Sequence, residues 1–190
     1  MTRQVRRPPG AAPVGRVIAD VTTPTFTGTE SGRPMAESTG TIHFPEEIKQ
    51  RFADVGIDLP ALFSGGHLGN RMGIVVLKAS PDEIIGTMPV EGNTQPYGLL
   101  HGGASAVLAE TLGSIGAMLH AGPERIAVGV DLNATHHRGL ASGTVTGTAT
   151  PLHRGRTTAT YDIAITDDRD RRVCTARLTC ALLAKPAPRG

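Results

Sequence analysis

The sequence predicts an α+β fold in which a curved antiparallel sheet of five or six strands wraps around one long helix. Three observations carry this expectation. From about residue 126 to residue 183, apolar and polar residues alternate with period two in successive segments joined by short turns, the pattern of consecutive antiparallel strands. Upstream, residues 101–119 form one helix-length run of small and aliphatic residues with a single formal charge, Glu110. Gly and Pro, 24 and 14 of 190 residues, make a fifth of the chain, which disfavours a helical bundle or coiled coil.

The elements follow in order. Residues 1–40 are rich in Gly, Pro, Ser and Thr with one aromatic, Phe26. Such a segment cannot bury enough apolar surface to offset its ordering entropy, so a disordered extension is expected there and a folded domain over 41–190. Pro45-Glu46-Glu47 followed by Ile48, Phe52, Val55 and Ile57 predicts a helix with Pro45 at its first position. Strands are expected over 73–79 and 83–90, turned by Ser80-Pro81-Asp82. A loop over 91–100 leads into the long helix. Its Gly102, Gly103, Gly113 and Gly116 cost helix propensity but allow close approach to a sheet. Ile126, Val128, Val130 and Leu132 then alternate on one strand face. Strands over 144–150, 159–165 and 173–183 complete the sheet. With aromatics at 3% and no Trp, the core is aliphatic.

Composition excludes several functions. Five Arg fall in residues 1–40 against three acids, and the remainder carries equal numbers of basic and acidic residues. The pI of 8.8 is thus a property of the extension, and no basic field or aromatic platform for nucleic acid is present. No uninterrupted apolar run reaches membrane-span length, so no membrane partner is expected. The N-terminal residues lack the apolar stretch of a secretory signal. Cys174 and Cys180 lie on one predicted strand, about 20 Å apart and beyond disulfide reach, which fits a reduced, cytoplasmic protein.

Chemistry concentrates at the long helix. Glu110 is either part of a solvated polar stripe or a nucleophile or general base, with Ser114 one turn further on the same face. His101-Gly102-Gly103 opens the helix, where free backbone N–H groups can polarise a carbonyl oxygen. Gln95 can add a side-chain N–H to the same oxygen. His136 and His137 are adjacent on a strand and point to opposite faces, a poor metal pair, so no metal is expected. His153, Arg154, Gly155, Arg156, Thr157 and Thr158 gather cations and hydroxyls in one turn, suited either to a phosphate or simply to solvent. Phosphate-loop, dinucleotide and serine-elbow motifs are absent from the sequence.

The stretch 95–114, QPYGLLHGGASAVLAETLGS, resembles the hotdog-fold acyl-CoA thioesterases of the PaaI type. It is similar to the branch with 1,4-dihydroxy-2-naphthoyl-CoA thioesterase, the enterobactin-pathway proofreading thioesterase and the Arthrobacter-type 4-hydroxybenzoyl-CoA thioesterase. The resemblance runs from about Asp82 to Leu183 and includes Val128-Gly129, Asn133-Ala134, His136, Arg138 and Pro151-Leu152-His153. It implies a hotdog fold and hydrolysis of an acyl-CoA, aromatic or medium-chain, with a role in menaquinone synthesis as one expectation. Glu110 would be the catalytic carboxylate. Gln95 and the Gly102 N–H would polarise the thioester carbonyl, with His101 beside it, and Ser114 would orient Glu110 or water. Gly129, His136, His137, Arg138 and Gly139, with residues 153–158, would line the CoA channel. His137 and Arg156 depart from the usual family pattern. No cofactor is implied beyond the CoA of the substrate. A homodimer, or a dimer of dimers, is implied, with sites between subunits. An acyl-thioester dehydratase and a non-catalytic acyl-CoA-binding module are the rival expectations.

Overall fold

The computed structural model describes residues 44–64 and 67–185, all within the unit Glu37–Gly190. The expectation for residues 1–40 lies outside the described residues. Three short helices, α1 (Glu46–Ala53), α2 (Leu59–Ser64) and α3 (His67–Arg71), precede the sheet. Pro45 is the N-cap of α1 and not its first helical residue; its carbonyl accepts the N–H groups of Ile48 and Lys49. α2 and α3 were not expected, because segments of six and five residues show no helical period.

The strands are β1 (Val75–Ala79), β2 (Ile84–Pro89), β3 (Arg125–His136), β4 (Thr144–Arg154), β5 (Thr158–Thr166) and β6 (Arg172–Ala184). They form one six-stranded antiparallel sheet in the order β1-β2-β4-β5-β6-β3. The central helix α4 (Gly102–Ala121) packs on one face and touches every strand. This is the hotdog arrangement. Contrary to the expectation from the sequence, α4 is long and apolar enough to cross a membrane by length and composition, but more than half of it is buried inside the fold.

Small residues set the spacing between helix and sheet. A Cβ on Gly116 of α4 would stand 2.6 Å from Ile84 Cδ1 and from Tyr161 Cε1. From the sheet side, a Cβ on Gly147 would stand 2.6 Å from Leu112 Cδ1. Leu108, Leu112, Leu119, Ile84, Ile163, Ile165 and Leu178 fill the remaining core, each contributing about 1.5–3 kcal/mol by burial. Tyr161 is fully buried; its hydroxyl donates to Pro81 O at 2.8 Å, and burial pushes its pKa up to about 12.

β3 departs from the sequence reading. The expected single face of Ile126, Val128, Val130 and Leu132 is broken by a bulge between Gly129 and Asp131. The extra residue, Val130, shifts the register, so Leu132 pairs with buried Leu178 while Ile126 and Val128 pair with Leu183 and Ala181 on the other face. β4 also runs further than expected, through His153 and Arg154, which confines the hairpin turn to residues 155–157.

Candidate active site

α4 orders the functional side chains along its axis. At its start, His101 is the N-cap, and its Nδ1 accepts the Gly103 N–H at 2.8 Å. The Ala104 and Ser105 N–H groups bond the His101 carbonyl. Among the described residues the Gly102 N–H has no partner. It is therefore the open donor at the positive end of a 20-residue helix. The His136 imidazole lies against Gly102, where a Cβ would stand 2.8 Å from Nε2; any side chain at 102 would displace it.

The loop before the helix brings Gln95 into place. The Gln95 N–H donates to Leu99 O at 2.8 Å and its carbonyl accepts from Gly98 at 2.9 Å. Gly98 sits at φ +72°, the left-handed conformation that glycine adopts without strain. The Gln95 side-chain amide is half-buried and unpartnered among the described residues.

Glu110 lies about 12 Å further along the helix axis. Its carboxylate rests on β3: a Cβ on Gly129 would stand 3.1 Å from Oε1. Glu110 is exposed, and among the described residues no donor reaches its carboxylate. Ser114 does not hold it. The Ser114 hydroxyl instead lies beside the Cys180 thiol, whose β6 residue faces Gly129 across the β3–β6 ladder. Burial pushes the Cys180 thiol up, the Ser114 hydroxyl offsets part of this, and the Glu110 charge adds to the rise. Both cysteines are free and buried.

The third group sits about 15 Å beyond Glu110, by helix rise, at the far end of α4. His120 Nε2 lies 3.1 Å from Gly155 O, and the Arg125 guanidinium donates to Arg156 O and, at 2.9 Å, to Leu182 O. The Gly155 N–H bonds Thr158 O, and Thr157 O accepts from Leu182. Arg154, expected to line a channel, is ion-paired with Asp82 at 2.8 Å. The side chains of His153 and Arg156 are exposed and have no hydrogen-bond or ion-pair partner among the described residues. His137 points away from His136, as the strand period requires, and Nε2 lies 3.1 Å from Thr175 Oγ1. Arg138 is exposed beside it, and Gly139 packs on Leu99. No cluster of metal-ligating side chains occurs among the described residues.

The sequence model of the thioesterase superfamily matches residues 97–174. A putative esterase of Deinococcus radiodurans is 45% identical over 123 residues, 64% of this chain and 77% of that protein. The proofreading thioesterase EntH of Cronobacter sakazakii is 46% identical over 121 residues, 63% of this chain and 88% of EntH. The chain belongs to the thioesterase superfamily. It is a thioester hydrolase with the hotdog fold. The crystal structure of a Haemophilus influenzae thioesterase matches the thioesterase described here with TM-score 0.64 and 36% identity, covering 70% of this chain and 93% of that one. Asn93, His120, Arg125 and Cys180, which bind or face the site's elements, carry no sequence signal. Only the strand register and loop closure bring them there.

Proposed function

We propose that this thioesterase hydrolyses acyl-CoA thioesters of aromatic or medium-chain acids, at two sites built across a two-fold dimer. The observation that supports it is a distance. The open Gly102 N–H and the Glu110 carboxylate are eight residues apart on one helix, about 12 Å along its axis. A carbonyl oxygen accepting from Gly102 is about 3 Å from that nitrogen. One chain's Glu110 therefore cannot reach a carbonyl held at its own helix start. An antiparallel second copy of α4 brings its Glu110 opposite that start, and two-fold symmetry makes two such sites.

At each site Gln95 and the Gly102 N–H polarise the carbonyl and stabilise the oxyanion that forms. The partner's carboxylate either attacks the carbonyl carbon or takes a proton from the attacking water. In the first case the C–S bond breaks to give a mixed anhydride and CoA thiolate, and water then opens the anhydride. In the second, hydroxide adds and thiolate leaves directly. Arg138, Arg156, Thr157 and Thr158 are free to meet the phosphates of CoA, whereas Arg154 is held by Asp82.

The test combines substrate and site. Thiol release is followed with 1,4-dihydroxy-2-naphthoyl-CoA, the substrate a menaquinone role requires, and with 4-hydroxybenzoyl-, benzoyl- and octanoyl-CoA. Glu110→Ala should lower the rate by about 100-fold or more. Inactive Glu110→Ala and Gln95→Ala proteins are then mixed under subunit exchange. A heterodimer has one site with both lesions and one with neither, so activity should return to about a quarter of wild type. Demonstrated exchange without recovery rules out the composite site, and no thiol release from any acyl-CoA leaves the binding-module reading.

A further inference from the structure

We infer that Asn93 is a positioning residue for this reaction, acting through Gln95. Both N–H groups of its side-chain amide are engaged. Nδ2 donates to Met72 O at 2.8 Å and to Pro89 O at 2.9 Å. Those carbonyls belong to different segments, one just before β1 and the other at the end of β2. The Asn93 main chain is equally committed: its N–H donates to Val90 O at 3.0 Å, and its carbonyl accepts the N–H of His101, the helix N-cap, at 2.9 Å. One half-buried side chain thus ties the loop to two segments of the sheet side, while the same residue's backbone ties the loop to α4.

Between these anchors residues 94–99 are held by hydrogen bonds within the loop, and Leu100 alone reaches outside it. Thr94 and Leu100 form an isolated bridge, Gln95 and Leu99 exchange a hydrogen bond, and Leu100 donates to Leu140 O at 2.7 Å. Among the described residues no side chain outside the loop bonds residues 94–98. The placement of Gln95 relative to the Gly102 N–H therefore passes through residue 93. Without the amide, residues 92–95 lose both side-chain tethers to the sheet side, while Val90 and Glu91 keep their hydrogen bonds to Gly143. The helix start itself stays fixed, because His101 caps it from within. Gln95 then swings while Gly102 does not, and the two donors no longer converge on one oxygen.

This inference rests on the reading of Gln95 as a carbonyl donor, and the experiment separates the two. Steady-state hydrolysis of the fastest acyl-CoA in the panel is measured for Asn93→Ala, Gln95→Ala and the double variant, with the folded fraction checked by circular dichroism. Asn93→Ala should lower kcat about 10-fold or more with little change in KM, since the geometry of the reacting centre is disturbed and the CoA-binding turn is not. In the Gln95→Ala background the same substitution should change kcat less than about two-fold, because its target is already gone. Asn93→Ser keeps one donor and should fall between Asn93→Ala and wild type, which also serves if Asn93→Ala does not fold. A full, additive loss in the Gln95→Ala background, or a raised KM with kcat intact, overturns the inference alone. Wild-type kcat in Gln95→Ala overturns the carbonyl-donor reading, and the inference falls with it.

Discussion

Replacing Gly116 by Ala tests whether close helix-to-sheet approach is what the glycines of α4 provide. In an exposed helix the change would stabilise by about 1 kcal/mol through propensity alone. Here the new methyl would stand 2.6 Å from both Ile84 Cδ1 and Tyr161 Cε1 and 2.7 Å from Tyr161 Cζ. Those groups cannot retreat easily: Ile84 and Tyr161 are fully buried, and the Tyr161 hydroxyl is anchored to Pro81 O. Separating the atoms to ordinary contact needs about 1 Å of movement in a packed core, an overpacking cost of roughly 2–3 kcal/mol. The net expectation is a loss of about 1–2 kcal/mol, or a Tm lower by about 3–6 °C for a domain of this size. Gly113→Ala is the internal comparison. Its methyl would meet one side chain and not two, Leu178, with Cδ2 at 2.7 Å and Cβ at 3.1 Å, and no hydrogen bond anchors that side chain. The propensity gain then cancels most of the strain, and the net change should stay within about 1 kcal/mol of zero. Urea titrations at one fixed protein concentration measure both, since an oligomer's midpoint moves with concentration. A Gly116→Ala protein as stable as wild type, or a Gly113→Ala protein that loses as much, would refute the reasoning.

Two other predictions follow from named contacts. Gly129→Ala places a methyl 3.1 Å from Glu110 Oε1, displacing the carboxylate by a few tenths of an ångström. Acyl-CoA hydrolysis should show kcat lower by about 10-fold with KM near wild type; an unchanged kcat would contradict the seating of Glu110 on β3. Asp167 is held by Arg171 Nε at 2.8 Å and by two backbone N–H groups, and the Arg171 hydrogen bond chiefly lowers its pKa to about 2 from 3.8. A depressed folded-state value gives stability that is present above about pH 4 and lost as pH falls through about 2. The stability gap between wild type and Asp167→Asn should therefore be constant above pH 4 and close towards pH 2 in urea midpoints. A gap that widens on acidification would have the sign wrong.

What was legible follows from which signals are local. The alternation after residue 125 and the single charge between His101 and Leu119 are properties of contiguous residues, so the sheet, α4 and Glu110 could all be read. The bulge could not, because Val128, Val130 and Leu132 keep the alternation while the chain changes face. Gly102's open N–H was legible from its place at a helix start; that His101 turns back to cap Gly103 was not. Partners distant in sequence were hidden. The Ser114–Cys180 contact depends on how α4 packs on β6, and the Arg154–Asp82 pair joins residues from β4 and the β1–β2 turn. Gly129 was read as lining a substrate channel; that the Glu110 carboxylate rests against it was not legible.

The sheet supplies an argument for the second copy that is independent of the helix. β3 is an edge strand of twelve residues, with Ile126, Val128 and Val130 exposed at 36%, 43% and 62%. Long apolar edges recruit other strands, and proteins that must keep them free use Lys, Pro or short length. β3 has no Lys and no Pro; the devices it does have are the bulge at Val130, the carboxylate of Asp131 and, at its first residue, Arg125, whose guanidinium is turned to Arg156 O and Leu182 O. If the antiparallel copy of α4 also brought the two β3 strands together, this edge would pair with its own copy and cease to be an edge. Because Glu110 rests on Gly129 of the same strand, such pairing would also carry each carboxylate towards the other chain's helix start. A monomer would have to keep the apolar edge in water and hydrolyse a thioester with its carboxylate about 12 Å from its carbonyl donor. Two unrelated demands, one on sheet edges and one on catalytic reach, would thus be met by a single contact, and a substitution that breaks β3 pairing should abolish activity and dimer together.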